Sequence, residues 1–155
     1  MESPQNHIWG PALWMILHAS AERIGSQHLK RLPQEESRIW LSLLASLRYS
    51  LPCPLCKNHF TSYFSSAPLA VFNKDTVRNW LFKLHERVNH QTNKPYTITI
   101  EQLPEIYGVP FQYTIYSTVL YAHMAIALRK GWCSRDDVQR TTRFLEELLR
   151  FYDFF

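Results

Sequence analysis

The sequence predicts an all-α protein, a four-helix bundle followed by a C-terminal helical extension, and three observations lead there. Four glycines, Gly10, Gly25, Gly108 and Gly131, fall like punctuation between longer segments. Within those segments apolar residues recur every three or four positions, the period of one helix face. The one brief apolar-polar alternation, in YTITIEQLPEIYG, has no second strand to pair with.

The first helix is read from GPALWMILHASAERIG, with Pro11 at a helix-starting position and Gly25 as the stop. Leu13, Ile16, Leu17 and Ile24 form its apolar stripe, while Trp14 and His18, four apart, share a face. After Pro33, QEESRIWLSLLASLRYS carries acids in its first turn and sets Ile39, Leu43, Leu44 and Leu47 on one stripe. Pro52 opens a third helix that runs from Cys53 to about Ser65, with Ser50 or Leu51 before it as cap. The fourth, in KDTVRNWLFKLHERVNHQTN, is set by Val77, Trp80, Leu81, Leu84 and Val88 and capped by Asp75 or Asn73. On it His85 and Asn89 share a face. Thr99 caps a further helical turn. Beyond Pro110 two more helices are expected, over 111–130 and 135–152, the second with Ser134 and Asp137 as an acidic variant of the capping box. Leu145, Leu148, Leu149 and Tyr152 carry its stripe.

A chain of 155 residues suits one compact domain, and 46% hydrophobic with 19% charged residues is a globular composition. The net charge of +4 is spread thinly. The densest basic clusters, LKRLP and ALRKGWCSR, are not runs, so an ordinary solvated surface is expected rather than a nucleic-acid site. The opening MESPQNHIWG has no n-region and h-region, so a secretory signal is not expected. The longest apolar stretch, TIYSTVLYAHMAIAL, falls short of the roughly 20 residues of a membrane span and includes His123; it reads as a buried helix.

The chemistry concentrates in SLPCPLCKNHF. Cys53 and Cys56 sit in the first turn of the third helix, where orphan amides and the positive dipole end favour a thiolate. With three cysteines in all, this pair is not part of a disulfide framework, and redox or metal chemistry is the better expectation. A zinc site would need Cys53, Cys56, His59 and Cys133 together, drawn from distant helices. A thioredoxin-like site places its CxxC after a strand, yet the preceding WLSLLASLRYS has helical period. A flavin-coupled dithiol requires a pocket with aromatic walls and polar groups, which the first and fourth helices carry.

At this point the residues resemble a family. WGPALWMILHASA is similar to the Trp-Gly-x3-Trp-x2-Leu-His-x2-Ala signature of the Erv/ALR FAD-dependent sulfhydryl oxidases, LPCPLCKNHF to their redox CxxC, and WLFKLHERVNHQTNKP to their His-Asn-x-Val-Asn-x4-Lys motif. The three occur in the family's order across residues 8–107. Glu86 stands at the family's asparagine position and Leu51 where cellular members often have tyrosine.

The resemblance implies a four-helix bundle with FAD at its mouth. Trp9, Gly10, Trp14 and His18 would line the flavin site from the first helix, and His85, Val88, Asn89 and Lys94 from the fourth and its exit, with Trp80 packed beneath. Residues 1–108 would form the FAD-binding domain and 109–155 an extension packed on the bundle or at a dimer interface. The implied activity is thiol oxidation: a partner dithiol protein is oxidised at Cys53, Cys56 faces the flavin, and O2 becomes H2O2. With only Cys133 outside the pair, no second cysteine pair can act as a shuttle, a trait that looks most like members from large cytoplasmic DNA viruses. A homodimer, a place at the head of a viral disulfide relay, and location in the infected cell's cytoplasm and the virion follow as expectations. Cys133 itself is expected to be a free thiol, an intersubunit disulfide or a partner-facing cysteine. The alternative from another class is a small zinc-stabilised helical interaction module, using the four ligands named above.

Overall fold

The computed structural model describes residues 3–26 and 31–154. Lys30 of the LKRLP cluster and Phe155 of the aromatic terminus lie outside the described residues. The helices are α1 (Asn6–Ala21), α2 (Pro33–Ser50), α3 (Pro54–Ser66), α4 (Lys74–Gln91), α5 (Leu103–Tyr107), α6 (Tyr113–Arg129) and α7 (Arg135–Phe151), with one 3₁₀ turn, Ile100–Gln102, before α5. No strand occurs among the described residues.

Three boundaries differ most from the sequence reading: α1 ends at Ala21 with Glu22 as its C-cap rather than running to Gly25, and two helix starts move. α1 begins at Asn6, so Pro11 lies inside the helix rather than opening it. Proline there removes the amide that would bond the His7 carbonyl, but Pro11 is exposed and water can take that carbonyl. The early start brings Asn6 and Trp9 onto the helix, with consequences at the cysteines. α3 begins at Pro54, and its N-cap is Cys53 itself rather than Ser50 or Leu51. The other caps follow the sequence. Asn73 and Thr76 form a reciprocal capping box on α4, Thr99 and Gln102 do so on the 3₁₀ turn, and the Ser134 hydroxyl accepts from the Asp137 amide.

α1 packs against α4 and α6, α2 against α3 and α7, and α6 against α7. One apolar core runs through all six of these helices: Ile16, Leu17, Leu43, Leu44, Leu81, Leu120, Met124 and Leu145 are almost fully buried in it. Each such side chain contributes about 1.5–3 kcal/mol relative to exposure. The extension therefore shares its core with α1–α4.

Two polar inlays fasten α7 to α2. The indole of Trp40 donates to the Tyr152 hydroxyl at 2.9 Å, and that hydroxyl donates to the Glu36 carboxylate at 2.6 Å. Burial, then the Glu36 carboxylate, push the Tyr152 phenol far above its usual range, so it stays a donor. Further along, Thr141 donates to Ser46 at 2.9 Å, Ser46 to the Leu43 carbonyl at 2.7 Å, and the Ser50 and Thr141 hydroxyls lie 2.6 Å apart. Buried hydroxyls satisfied in a chain fix the register of the two helices rather than destabilising them.

Candidate redox site and ring platform

Cys53 ends an extended approach. Its backbone at φ −164° and ψ 116° is that of a helix N-cap, and its sulfur accepts from the Cys56 amide at 3.2 Å. A cysteine in the place of the usual capping hydroxyl puts its sulfur over the orphan amides, where negative charge is favoured. Cys56 stands in the first turn, and the two are joined as a disulfide with Cα atoms 5.2 Å apart. Both are half-buried, and Leu55 between them is exposed.

The disulfide opens onto a cleft of about 430 Å³ lined by Cys53, Asn6, His7, Pro54, Lys94 and Trp132. Asn6 and Trp132 were not legible as site residues. Asn6 belongs to the part of α1 assigned to a loop by the Pro11 reading; an asparagine three residues before Trp9 becomes a signal only once both are on one helix. Trp132 comes from the α6–α7 connection, whose main-chain carbonyl accepts from the Lys57 ammonium of α3. A neighbouring residue of that connection, Cys133, is buried and free, with its thiol directed at the Ser50 and Leu51 carbonyls at 3.6 and 3.7 Å. Burial raises its pKa, against a lowering by Lys57.

The second constellation lies where α1 meets α4. The Trp14 and His85 rings stack with centroids 3.9 Å apart and planes 7° from parallel. His18 stacks on Tyr107 at 4.6 Å, and Tyr96 leans on His85 at 4.7 Å. His18 Nε2 and His85 Nδ1 share a hydrogen bond of 3.0 Å. Burial, then the facing imidazole of His85, push His18 down to about 3, and burial, then Lys94, push His85 down to about 4. Both imidazoles are therefore neutral near pH 7, acting as flat hydrogen-bonding rings and not as cations. Burial raises Tyr96 to about 12, so it too stays neutral.

The remaining predicted residues group around these two centres. Trp9 is buried and donates its indole N–H to Asn6 Oδ1 at 3.0 Å. Gly10 is half-buried, and a methyl group added there would meet nothing within 4 Å beyond its own stretch of helix backbone. The chain's own packing thus does not require glycine at a helical position where glycine costs about 1 kcal/mol. Val88 packs against the core, and Asn89 is half-buried on the same face of α4 as His85, its carbonyl accepting from the Lys94 amide at 2.8 Å. Lys94 belongs to both centres, lying close enough to His85 to shift it and lining the Cys53 cleft. Trp80 packs edge-on against Tyr63 of α3 and donates to the Ala67 carbonyl at 2.6 Å, which braces the cysteine helix from below.

Such a donor set suits a planar, uncharged aromatic system continuing the Trp14–His85 stack, with Lys94, between the stack and the disulfide, able to meet an anionic linker. It does not suit a zinc ion. Among the described residues no group of three or more His, Cys, Asp or Glu side chains is placed to hold a metal, and Cys53 and Cys56 are bonded to each other.

A family model, that of the Erv1 / Alr family, matches residues 11–106. The chain belongs to the Erv1 / Alr family. Among its relatives, the FAD-linked sulfhydryl oxidase of African swine fever virus is 31% identical over 86 residues, which cover 56% of this chain and 69% of the relative. The putative FAD-linked sulfhydryl oxidase 096R of Invertebrate iridescent virus 3 is 28% identical over 107 residues, 67% of this chain and 68% of the relative. The FAD-linked sulfhydryl oxidase ERV1 of Oryza sativa subsp. japonica is 28% identical over 86 residues, 56% of this chain and 42% of the relative. No solved structure matches the chain. The Erv1 / Alr match covers the cysteine helix and Trp14, His18, His85 and Tyr96 of the ring platform, and it stops before α6 and α7.

Proposed function

We propose that this member of the Erv1 / Alr family is an FAD-linked sulfhydryl oxidase that makes disulfides in a partner dithiol protein. The observation that carries the reading is the Cys53–Cys56 disulfide at the capped start of α3, facing an open cleft beside a platform of neutral stacked rings. Trp14, His18, His85 and Asn89 would hold the flat rings of FAD, Val88 and Gly10 would give them room, and Lys94 would face the pyrophosphate. Trp9 supports the site through Asn6.

The residues do the following. A substrate thiolate enters the cleft and attacks Cys53 Sγ; the S–S bond breaks and its electron pair leaves on Cys56 as a thiolate. A second thiolate of the same substrate attacks the substrate sulfur of the mixed disulfide, and Cys53 leaves as the second thiolate. The substrate has lost two electrons, the pair has gained them, and its thiolates rest on the amide-rich start of α3. FAD, held by the residues named above, would supply a two-electron sink for the reduced pair, with O2 as the final acceptor and H2O2 as its product.

Residues 1–108 would be the FAD-binding domain and 109–155 an extension that completes the core and supplies Trp132 to the cleft. The likeness to viral relatives supports a viral setting; a place at the head of a disulfide relay, location in the infected cell's cytoplasm and the virion, and a homodimer are parts of the same proposal. Among the described residues no helix is long and apolar enough to cross a membrane. The test is oxygen consumption with a dithiol substrate: Cys53→Ser and Cys56→Ser should each abolish it, and turnover surviving in either variant would refute the assignment.

A further inference from the structure

Asn6 is the first residue of α1, 47 positions before Cys53 in the chain. Its Nδ2 lies 3.6 Å from Cys53 Sγ and 3.6 Å from Cys56 Sγ, while its Oδ1 receives the Trp9 indole at 3.0 Å. An indole nitrogen can only donate, so the atom facing Trp9 must be the amide oxygen. That fixes the orientation of the side chain, and both N–H bonds of the amide are left to the sulfurs.

We infer that Asn6 is a catalytic residue of the thiol exchange, donating to the sulfurs as they become thiolates, and that Trp9 is the positioning residue that holds it there. A disulfide sulfur accepts hydrogen bonds weakly and a thiolate strongly, so the interaction grows as charge develops, which is what accelerates a step. The two sulfurs do not depend on it equally. Cys53 already receives the Cys56 amide at 3.2 Å, whereas Asn6 is the one donor to Cys56 among the described residues. Expulsion of Cys56, the first step of the exchange, is therefore the step that leans on Asn6. Breaking the S–S bond places the electron pair on Cys56, and the Asn6 amide meets it without a proton being transferred. A lower pKa for that sulfur makes it the better leaving group.

The inference rests on the proposed exchange at this pair, but its test needs neither flavin turnover nor an acceptor. The full-length protein is reduced without air and alkylated with iodoacetamide across pH, and mass spectrometry gives the rate at each cysteine. Asn6→Ala should raise the thiolate pKa of Cys56 by about one unit, tenfold in proton affinity, with a smaller rise at Cys53. Asn6→Asp keeps the size and the bond from Trp9 but removes the donors, and should raise Cys56 at least as far. Trp9→Phe should produce part of the same shift by freeing the amide. Profiles for Cys56 that stay unchanged in Asn6→Ala and Asn6→Asp, with unaltered melting temperatures, would overturn the inference and leave the oxidase reading intact.

Discussion

The indole of Trp14 lies flat on the imidazole of His85, with ring centroids 3.9 Å apart and planes 7° from parallel, and so ties α1 to α4 at one edge of the bundle. Two half-buried rings this close to parallel leave an aromatic surface on which a third ring can stack. Trp14→Ala should therefore lose flavin: stacking of about 0.5–1.5 kcal/mol plus the lost apolar contact predicts an FAD affinity about tenfold or more weaker. The measured quantity is the ratio of FAD to protein after dialysis. A variant that keeps a full complement of FAD would place the cofactor elsewhere.

The histidine pair makes stability sensitive to acid. His18 and His85 have folded-state values pushed down to about 3 and about 4, against an ordinary value near 6.5. As pH falls below 6.5 the unfolded chain takes up protons that the folded chain refuses, so their contribution is full above that value and drains towards pH 4. Each group can cost up to about 1.4 kcal/mol per pH unit in this window. Urea melts at pH 7, 5.5 and 4.5 should show the decline, and His18→Gln should flatten it. An equally steep profile in the variant would assign the acid sensitivity to other groups.

Tyr152 anchors the extension through Glu36 and Trp40. Tyr152→Phe leaves the buried Glu36 carboxylate without that donor, and the expected destabilisation is about 1–3 kcal/mol. The urea midpoint should fall at unchanged slope. A shift within error would mean that the Trp40–Tyr152–Glu36 relay is neutral.

Cys133 is buried and its pKa is raised, which marks it as an inert thiol. Cys133→Ser should retain oxidase activity. Alkylation should label no cysteine quickly in the native oxidised protein, two after reduction and three after denaturation. Fast native labelling of Cys133 would return it to the list of reactive groups.

Much of the fold could be read beforehand because each signal was local. Asn73, Thr99 and Ser134 cap the elements expected of them, and the stripes of α2, α4 and α7 follow from apolar period alone. Pro11 misled because proline at a first helical position and proline in an exposed first turn or two look identical in sequence; what decides is tertiary, since Trp9 gains burial by staying helical. Trp14, His18 and His85 were legible as shared faces, and the structure adds that the faces meet. Tyr96, Tyr107 and Trp132 were not legible: their places depend on how the chain after α4 folds back onto α1 and how the α6–α7 connection reaches α3, and no spacing encodes such long-range contacts.

The central claim is that the Cys53–Cys56 disulfide is electronically coupled to a bound flavin. The visible absorbance of the purified protein, before and after a dithiol is added in the absence of air, tests it most directly. The account predicts an oxidised-flavin spectrum that bleaches on reduction and returns with air, with bleaching lost in Cys56→Ser. A protein that is colourless and takes up no added FAD, or a flavin that the dithiol cannot bleach, would contradict it.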